Sequence, residues 1–186
     1  TRGRPLLTWA LIAACVVVYF GFQPASGSTQ EAEFLYERAA IACELRTGDP
    51  LDLVEINDGV CHAGSPEPYF PQKNVWVAAG VSMFLHGGFL HLLFNMWSLW
   101  IFGNNVEEAF GGPGYLLLYA ASGVAATAGF VWANPDTTVP LVGASGAIAG
   151  VMGAYLTLFP RHLVMTLIIF RIVALPSERF APLFEL

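Results

Sequence analysis

Charged residues are scarce in this chain, since Lys, Arg, Asp and Glu together make up 12% of its 186 residues. Hydrophobic residues make up 55% and the mean hydropathy is +0.58, which excludes an ordinary soluble domain. The few basic residues form no cluster, so no nucleic-acid partner is expected. No inverted repeat or pair of interrupted apolar helices is present, and this argues against a transporter.

Four apolar stretches approach the roughly 20 residues that a helix needs to cross the hydrocarbon core of a bilayer. They cover residues 6–22, 77–102, 115–132 and 141–159. The sequence therefore predicts an all-α membrane protein, a polytopic bundle with four complete spans. Arg2 and Arg4 precede the first stretch and Arg161 follows the fourth. Because positive residues favour the cytoplasmic side, we expect the N-terminus inside and residues 23–76 outside.

This predicted outer loop has its own structure. Ser28, with Glu31 three residues later, forms a capping-box pattern, and the apolar spacing that follows predicts one amphipathic helix ending at Gly48. Cys43 and Cys61 both fall in the loop, where disulfides survive. A disulfide between them and two free thiols are both compatible with the sequence.

Residues 163–176 form a further apolar run, which contains Arg171 and is too short to span a bilayer. Its β-branched residues favour an extended or interfacial segment on the inner side, ending at Pro176. With the spans and the loop, this run completes a single predicted membrane domain, residues 1–186.

Three polar residues interrupt the second apolar stretch, and polar groups at membrane depth usually face the protein interior or a water-filled cavity. His91 and Asn95 are four residues apart and therefore share one helix face. His86 precedes two glycines and is expected at the outer mouth of the helix. Any one of these side chains could merely bridge helices, but two hydrogen-bond donors on one face favour a site. No histidine follows another at i+4 and no carboxylate is near, so no metal is expected.

The fourth stretch carries Ser145 in "PLVGASGAIAGVMGAYLTLFPR", about five residues from Pro140 and roughly 7 Å inside the outer end of a helix. Its glycines, among them Gly146 and Gly150, form a small-residue surface that lets helices approach closely in lipid. Ser145 is thus either a packing residue or a nucleophile. Ala147 stands where the nucleophile elbow Gly-x-Ser-x-Gly has its last glycine, which disfavours a soluble hydrolase.

The segments "HGGFLHLLFN", "IFGNNVEEAFG" and "PLVGASGAIAGVMGAYLTLFPR", in this order, resemble the rhomboid family of intramembrane serine proteases. The resemblance covers nearly the whole chain and implies a rhomboid-like helical bundle in the plasma (inner) membrane, with the active site opening to the extracytoplasmic side. It implies Ser145 as the nucleophile and His91 and Asn95 as oxyanion-stabilising residues. It also implies that Gly143 and Gly146 let the backbone and the substrate approach the serine.

The resemblance extends to two supporting residues and to the reaction. His86 matches a family histidine near the cavity mouth, whose role is to hold water, to orient the site or to support the structure. Glu107 matches a family glutamate that tethers a loop. The implied reaction is the cleavage of single-span membrane proteins near their outer end by a Ser–His dyad, without a cofactor. Those substrates and the lipid bilayer are the implied partners.

None of the four histidines is a good candidate for the base of such a dyad. His62 lies in the outer loop, His86 and His91 lie on the oxyanion side, and His162 is about 25 Å from Ser145 along a straight helix. The resemblance assigns the base to a sixth span, so we expect this chain to be a C-terminally incomplete piece of a protease. The alternative is a non-catalytic rhomboid-like protein that binds membrane segments or serves as an integral subunit of a larger membrane complex.

Overall fold

The computed structural model of the chain describes residues 5–62, 67–161, 163–168 and 171–176. Most of this part is helical. The helices are α1 (Leu6–Gly21), α2 (Thr29–Arg38), α3 (Ala42–Thr47), α4 (Leu53–Asp58), α5 (Val75–Val81), α6 (Phe89–Ala133) and α7 (Ser145–Leu158). The strands form two antiparallel pairs, β1 (Ala40–Ile41) with β2 (Pro140–Leu141) and β3 (Leu163–Ile168) with β4 (Arg171–Pro176). The all-α prediction is therefore correct for the bulk of the fold but not for these two small sheets.

Helix α6 contains a sharp break at Gly111, whose φ of 71° and ψ of 164° are not helical. Gly103 and Tyr115 are about 18 Å apart along an unbroken helix. The Tyr115 hydroxyl nevertheless lies 2.7 Å from the point where a Cβ on Gly103 would stand, so the chain folds back at the break. The arms on either side, residues 89–110 and 112–133, correspond to the second and third predicted spans.

The beginning of the second predicted span differs in the structure. Residues 75–84 form α5 and a short 3-10 helix, Ser82–Phe84, and the long helix begins at Phe89 instead of Val77. Among the described residues, α6 is the one helix long and apolar enough to cross a membrane by length and composition. Each arm is about 33 Å long, close to the roughly 30 Å of a hydrocarbon core. The other apolar helices, Leu6–Gly21, Val75–Phe84 and Ser145–Leu158, are shorter, and the four-span arrangement stays a prediction.

The main core lies where α1, both arms of α6 and α7 meet, and it includes the fully buried Cys15, Leu99 and Val151. Small residues bring α6 and α7 together: Gly146 faces Ala126, and Gly150 faces Ser122 so closely that an added Cβ would overlap it. These contacts agree with the predicted small-residue surface.

Glu107, on the first arm of α6, holds the start of α1. Its carboxylate accepts hydrogen bonds from the backbone N–H groups of Leu7 and Thr8 and from the Thr8 hydroxyl, at 2.8–3.0 Å. The first N–H groups of a helix have no partner within the helix, so Glu107 caps α1 from another segment of the chain. The predicted tether is present, but it holds a helix end instead of a loop.

The part of the outer loop from Ser28 to Gly48 contains two helices, α2 and α3, where the sequence predicted one. Ser28 caps α2 by accepting from the Glu31 N–H, and Gly48 ends α3 with a φ of 88°, as the pattern indicated. The capping box itself is not closed, because the Glu31 carboxylate accepts from the Gly27 N–H instead of the Ser28 N–H. Between them, Ala40 and Ile41 are extended because they pair with β2. The single-helix prediction was wrong at this point, since a pairing partner about 100 residues away outweighs local helix propensity.

Three interactions stiffen the outer loop and attach it to the segment before α7. Cys43 and Cys61 are joined by a disulfide, so the one cluster of potential metal ligands found among the described residues, these two sulfurs with Glu55, offers no thiolates. The Lys73 ammonium lies 2.5 Å from the Glu44 carboxylate, with both side chains buried. In addition, the Cys43 N–H donates to the Thr137 carbonyl, beside β2.

Candidate active site

Ser145 is the first residue of α7, and its side chain is exposed. The sequence predicted a position more than a turn inside a helix, but Pro140 and Leu141 pair with β1, and the helix starts later. The first free N–H groups of a helix lie at its N-terminus, where the helix dipole is positive. The Ser145 hydroxyl therefore stands at a site that favours a developing negative charge.

Gly143 controls the approach to Ser145. Its φ is 120°, a conformation that other residues rarely adopt, and its N–H donates to the Ser82 carbonyl at 2.9 Å. A Cβ built at Gly143 would lie 2.9 Å from the His91 Nε2 and 3.5 Å from the Ser145 Oγ. The absence of a side chain thus lets the imidazole and the hydroxyl approach the same point.

One hydrogen bond to the His91 ring indicates which ring nitrogen carries the proton. The Gly87 N–H donates to the His91 Nδ1 at 3.4 Å, so Nδ1 is the acceptor. A neutral imidazole with an acceptor at Nδ1 is protonated at Nε2. That atom is the one that lies over Gly143, beside Ser145. His91 is therefore arranged as a hydrogen-bond donor toward the serine and not as its base.

Asn95 is buried on the same face of α6 as His91, as the four-residue spacing predicted. Its amide nitrogen donates to the His91 backbone carbonyl at 2.8 Å. An amide nitrogen has two N–H groups, and this bond uses one of them. The described contacts bring His91, Gly143 and Ser145 together directly, whereas Asn95 is joined to them through the backbone of His91.

His86 lies behind His91 and is fully buried. Its Nδ1 donates to the Phe84 carbonyl at 3.2 Å, because a carbonyl can only accept, and its ring meets the His91 ring edge-on at 5.3 Å. Its Nε2 is buried without a partner among the described residues. The residue does precede the helix as predicted, but it supports His91 from within the protein instead of standing in the open mouth.

A cavity of about 150 Å³ lies beside Ser145, between α7 and the second arm of α6. Small and apolar residues line most of it, among them Gly123, Ala126, Thr127 and Met83. Gly146 belongs to this wall through its contact with Ala126. Its visible role is thus helix packing, which leaves a small recess next to the hydroxyl.

Two residues that hold the site together, Ser82 and Gln23, were not predicted from the sequence. The Ser82 carbonyl accepts from the Gly143 N–H, and the Ser82 hydroxyl accepts from the Ala40 N–H at 2.5 Å. Ser82 thus joins the segment before Ser145 to the outer loop. The Gln23 side chain makes two hydrogen bonds with the backbone of His86. No sequence pattern indicated either contact, because each joins residues far apart in the chain.

Among the residues that the structure describes, the remaining histidine, His62, contributes no base to this site. His62 lies in the outer loop, where its backbone N–H donates to Glu55. His162 falls outside the described residues. Near Ser145, the described part of the chain therefore offers hydrogen-bond donors and a small cavity.

The family model described as Rhomboid domain matches residues 73–177. Among curated proteins, the chain is 36% identical over 111 residues to the rhomboid protease GluP of Bacillus subtilis (strain 168), which covers 56% of this chain and 21% of that protein. It is 37% identical over 93 residues to the mitochondrial Rhomboid protein 1 of Saccharomyces cerevisiae, covering 48% of this chain and 27% of the relative. The matches thus span about a quarter of these relatives' lengths. No solved structure is significantly similar to the chain.

Proposed function

The chain belongs to the rhomboid family, and on this premise we propose that the full-length protein is an intramembrane serine endopeptidase with Ser145 as its nucleophile. The observation that carries the proposal is the meeting of the Ser145 Oγ and the protonated His91 Nε2 beside Gly143, at the N-terminus of α7. A serine used only for packing would not need such donors around it.

In the proposed reaction, the Ser145 hydroxyl attacks the carbonyl carbon of the scissile bond and the carbonyl oxygen becomes negatively charged. The His91 Nε2–H and the backbone N–H of Ser145 donate to this oxygen, and the second N–H of the Asn95 amide can join them. Donors that are held in place before charge develops lower the barrier, and removing one typically costs 10²–10³ in rate. The positive end of the α7 dipole adds to the same stabilisation.

The serine must lose its proton to a base before it can complete the attack. His91 is unsuited to this role because its acceptor nitrogen, Nδ1, is occupied by the Gly87 N–H. We therefore assign the base to a histidine of a sixth span, as the family resemblance implies. That histidine then gives the proton to the leaving amine when the tetrahedral intermediate breaks down to the acyl-enzyme.

The substrates we propose are single-span membrane proteins, cut near the extracytoplasmic end of the segment while the enzyme sits in the plasma membrane. The cavity of about 150 Å³ beside Ser145 supports a small residue next to the scissile bond. Ser145 is exposed at the N-terminal end of α7. This end is joined to the outer loop through the pairing of β2 with β1, which supports access of the substrate from the side of the outer loop.

The proposal is tested by Ser145→Ala in the full-length protein, with cleavage of a single-span substrate measured in membranes. A matched control is Ser98→Ala, which removes a serine from the first arm of α6 outside the described site. We expect Ser145→Ala to abolish cleavage and Ser98→Ala to retain it. A fluorophosphonate probe should label the unaltered protein at Ser145 alone. Retained cleavage by Ser145→Ala would remove this serine from the mechanism, and failure of the unaltered protein to label would favour the non-catalytic alternative.

A further inference from the structure

Gln23, just beyond the end of α1, pairs with the backbone of His86 through both ends of its amide. Its Nε2 donates to the His86 carbonyl and its Oε1 accepts from the His86 N–H, each at 2.9 Å. This two-bond exchange is the one that hydrogen-bonded residues of neighbouring antiparallel strands make. Gln23 therefore acts as a one-residue strand partner for a turn that is 63 residues away.

The turn that Gln23 holds leads directly to His91. Gly87 follows His86, and its N–H is the donor that occupies the His91 Nδ1. The backbone of His86 and Gly87 thus sets both the direction of the imidazole and the nitrogen that carries its proton. Neither Gly87 nor Gly88 has a side chain that could anchor this turn, so the anchoring contacts come from His86.

His86 is held at two levels. Its ring is fixed by the bond to the Phe84 carbonyl and by the edge-on contact with His91. Its backbone is fixed by Gln23. Because the whole residue is buried, loss of Gln23 would leave a backbone donor and acceptor without water to replace it. Movement of the turn to recover these bonds would carry Gly87 away from the His91 Nδ1.

We propose that Gln23 is a positioning residue: by clamping the backbone of His86, it keeps Gly87 bonded to the His91 Nδ1 and so keeps the His91 Nε2–H directed at the reacting carbonyl oxygen. This inference rests on the proposed function for its catalytic consequence. The proposed effect of Gln23 on the tautomer of His91 does not depend on the proposed function, and it can be tested in a protein without activity.

The experiment compares Gln23→Leu with Gln30→Leu in the full-length protein. Leu is of similar size but makes neither hydrogen bond, and Gln30 is an exposed glutamine of α2 without a contact to the site. We expect Gln23→Leu to lower kcat by about 10- to 100-fold, because the His91 Nε2–H no longer points at the reacting carbonyl oxygen. KM should change little, since substrate binding does not depend on this donor. Gln30→Leu should match the unaltered protein in both constants.

The tautomer is read separately by nitrogen-15 NMR of labelled histidine, with the His91 signals identified by their loss in His91→Asn. In the unaltered protein we expect a protonated Nε2 and an unprotonated Nδ1, and in Gln23→Leu a mixture of both tautomers. If the unaltered protein cleaves nothing but Gln23→Leu still changes the tautomer of His91, the proposed function fails while the role of Gln23 stands. If Gln23→Leu keeps both the tautomer and kcat, the role of Gln23 is refuted.

A second variant keeps the test informative if Gln23→Leu folds poorly. Gln23→Glu has the same shape, and its ionised carboxylate still accepts from His86 but cannot donate to the His86 carbonyl. A protonated carboxyl can do both, so the activity of Gln23→Glu relative to the unaltered protein should rise as the pH is lowered. A constant ratio at every pH, with a lower melting temperature only, would mean that Gln23 serves stability alone and would overturn the proposal.

Discussion

Replacing Gly143 by alanine tests the geometry of the site with a single methyl group. The added Cβ would lie 2.8 Å from the His91 Cε1, whereas ordinary van der Waals contacts of a Cβ begin at about 3.4 Å. His91 must therefore move by roughly half an ångström or more, away from the point it shares with Ser145. The φ of 120° adds a backbone penalty of about 1–3 kcal/mol, since an alanine rarely adopts it.

The expected result for Gly143→Ala is a loss of at least about 10² in kcat, because a misplacement of this order separates the oxyanion donor from the reacting oxygen. The substrate KM should change less, since the cavity beside Ser145 is lined mainly by other residues. The measurements are initial rates of substrate cleavage and the rate of fluorophosphonate labelling, each in the full-length protein.

Gly153→Ala, in the helix that follows Gly143, is the matched control. Its Cβ would meet nothing within 4 Å, and alanine is favoured over glycine inside a helix by up to about 1 kcal/mol. It should cleave and label like the unaltered protein. If Gly143→Ala also cleaved at the unaltered rate, the close meeting of His91, Gly143 and Ser145 would not be the catalytic arrangement.

Two further predictions concern the outer loop. Lys73→Met should destabilise the protein by about 3–5 kcal/mol in thermal denaturation, because it leaves Glu44 buried without its partner. Burial raises the pKa of Glu44 and Lys73 opposes that rise, so the pKa of Glu44 lies higher still in the variant. The defect should therefore shrink as the pH falls through the interval between these two raised pKa values, where the carboxyl of the variant is protonated, and it should reach its full size above that interval. Glu44→Gln in the same protein should restore most of the loss, and a melting temperature unaffected by Lys73→Met would contradict the buried pair. Reduction of the Cys43–Cys61 disulfide, or Cys43→Ala with Cys61→Ala, should cost about 3 kcal/mol for a closed loop of 18 residues. An identical melting temperature with and without reductant would show that the bond adds nothing to stability.

Several features followed from local sequence alone. The caps at Ser28 and Gly48 depend on side-chain chemistry within a few residues, and both are present. The shared face of His91 and Asn95 follows from the helical repeat, which needs no knowledge of the rest of the chain. The small-residue surface around Gly146 and Gly150 also predicted close helix packing correctly. In each case the information lies within one or two turns of a helix.

The prediction of a single helix up to Gly48 failed where a long-range contact competes with local preference. Ala40 and Ile41 are compatible with a helix, but in the structure they pair with Pro140 and Leu141. The same pairing delays the start of α7 and brings Ser145 to its first residue. Strand pairing across about 100 residues has no signature in a short stretch of sequence. Neither the break in the predicted helix at Ala40 nor the later start of α7 could therefore be predicted.

The sequence by itself determined the membrane character, the family and the identity of the residues that could act together, because hydropathy, spacing and motif order are properties of the chain. Only the tertiary structure decided that Ser145 stands at a helix N-terminus, that Gly143 lets His91 reach it, and that the His91 proton lies on Nε2. Those features depend on three hydrogen bonds: one that the Ser82 carbonyl accepts from Gly143, one that Gly87 donates to His91, and one that Gln23 accepts from His86, 63 residues along the chain. Such contacts form only when the folded chain brings distant backbone groups within about 3 Å of one another, and no periodicity in the sequence encodes them.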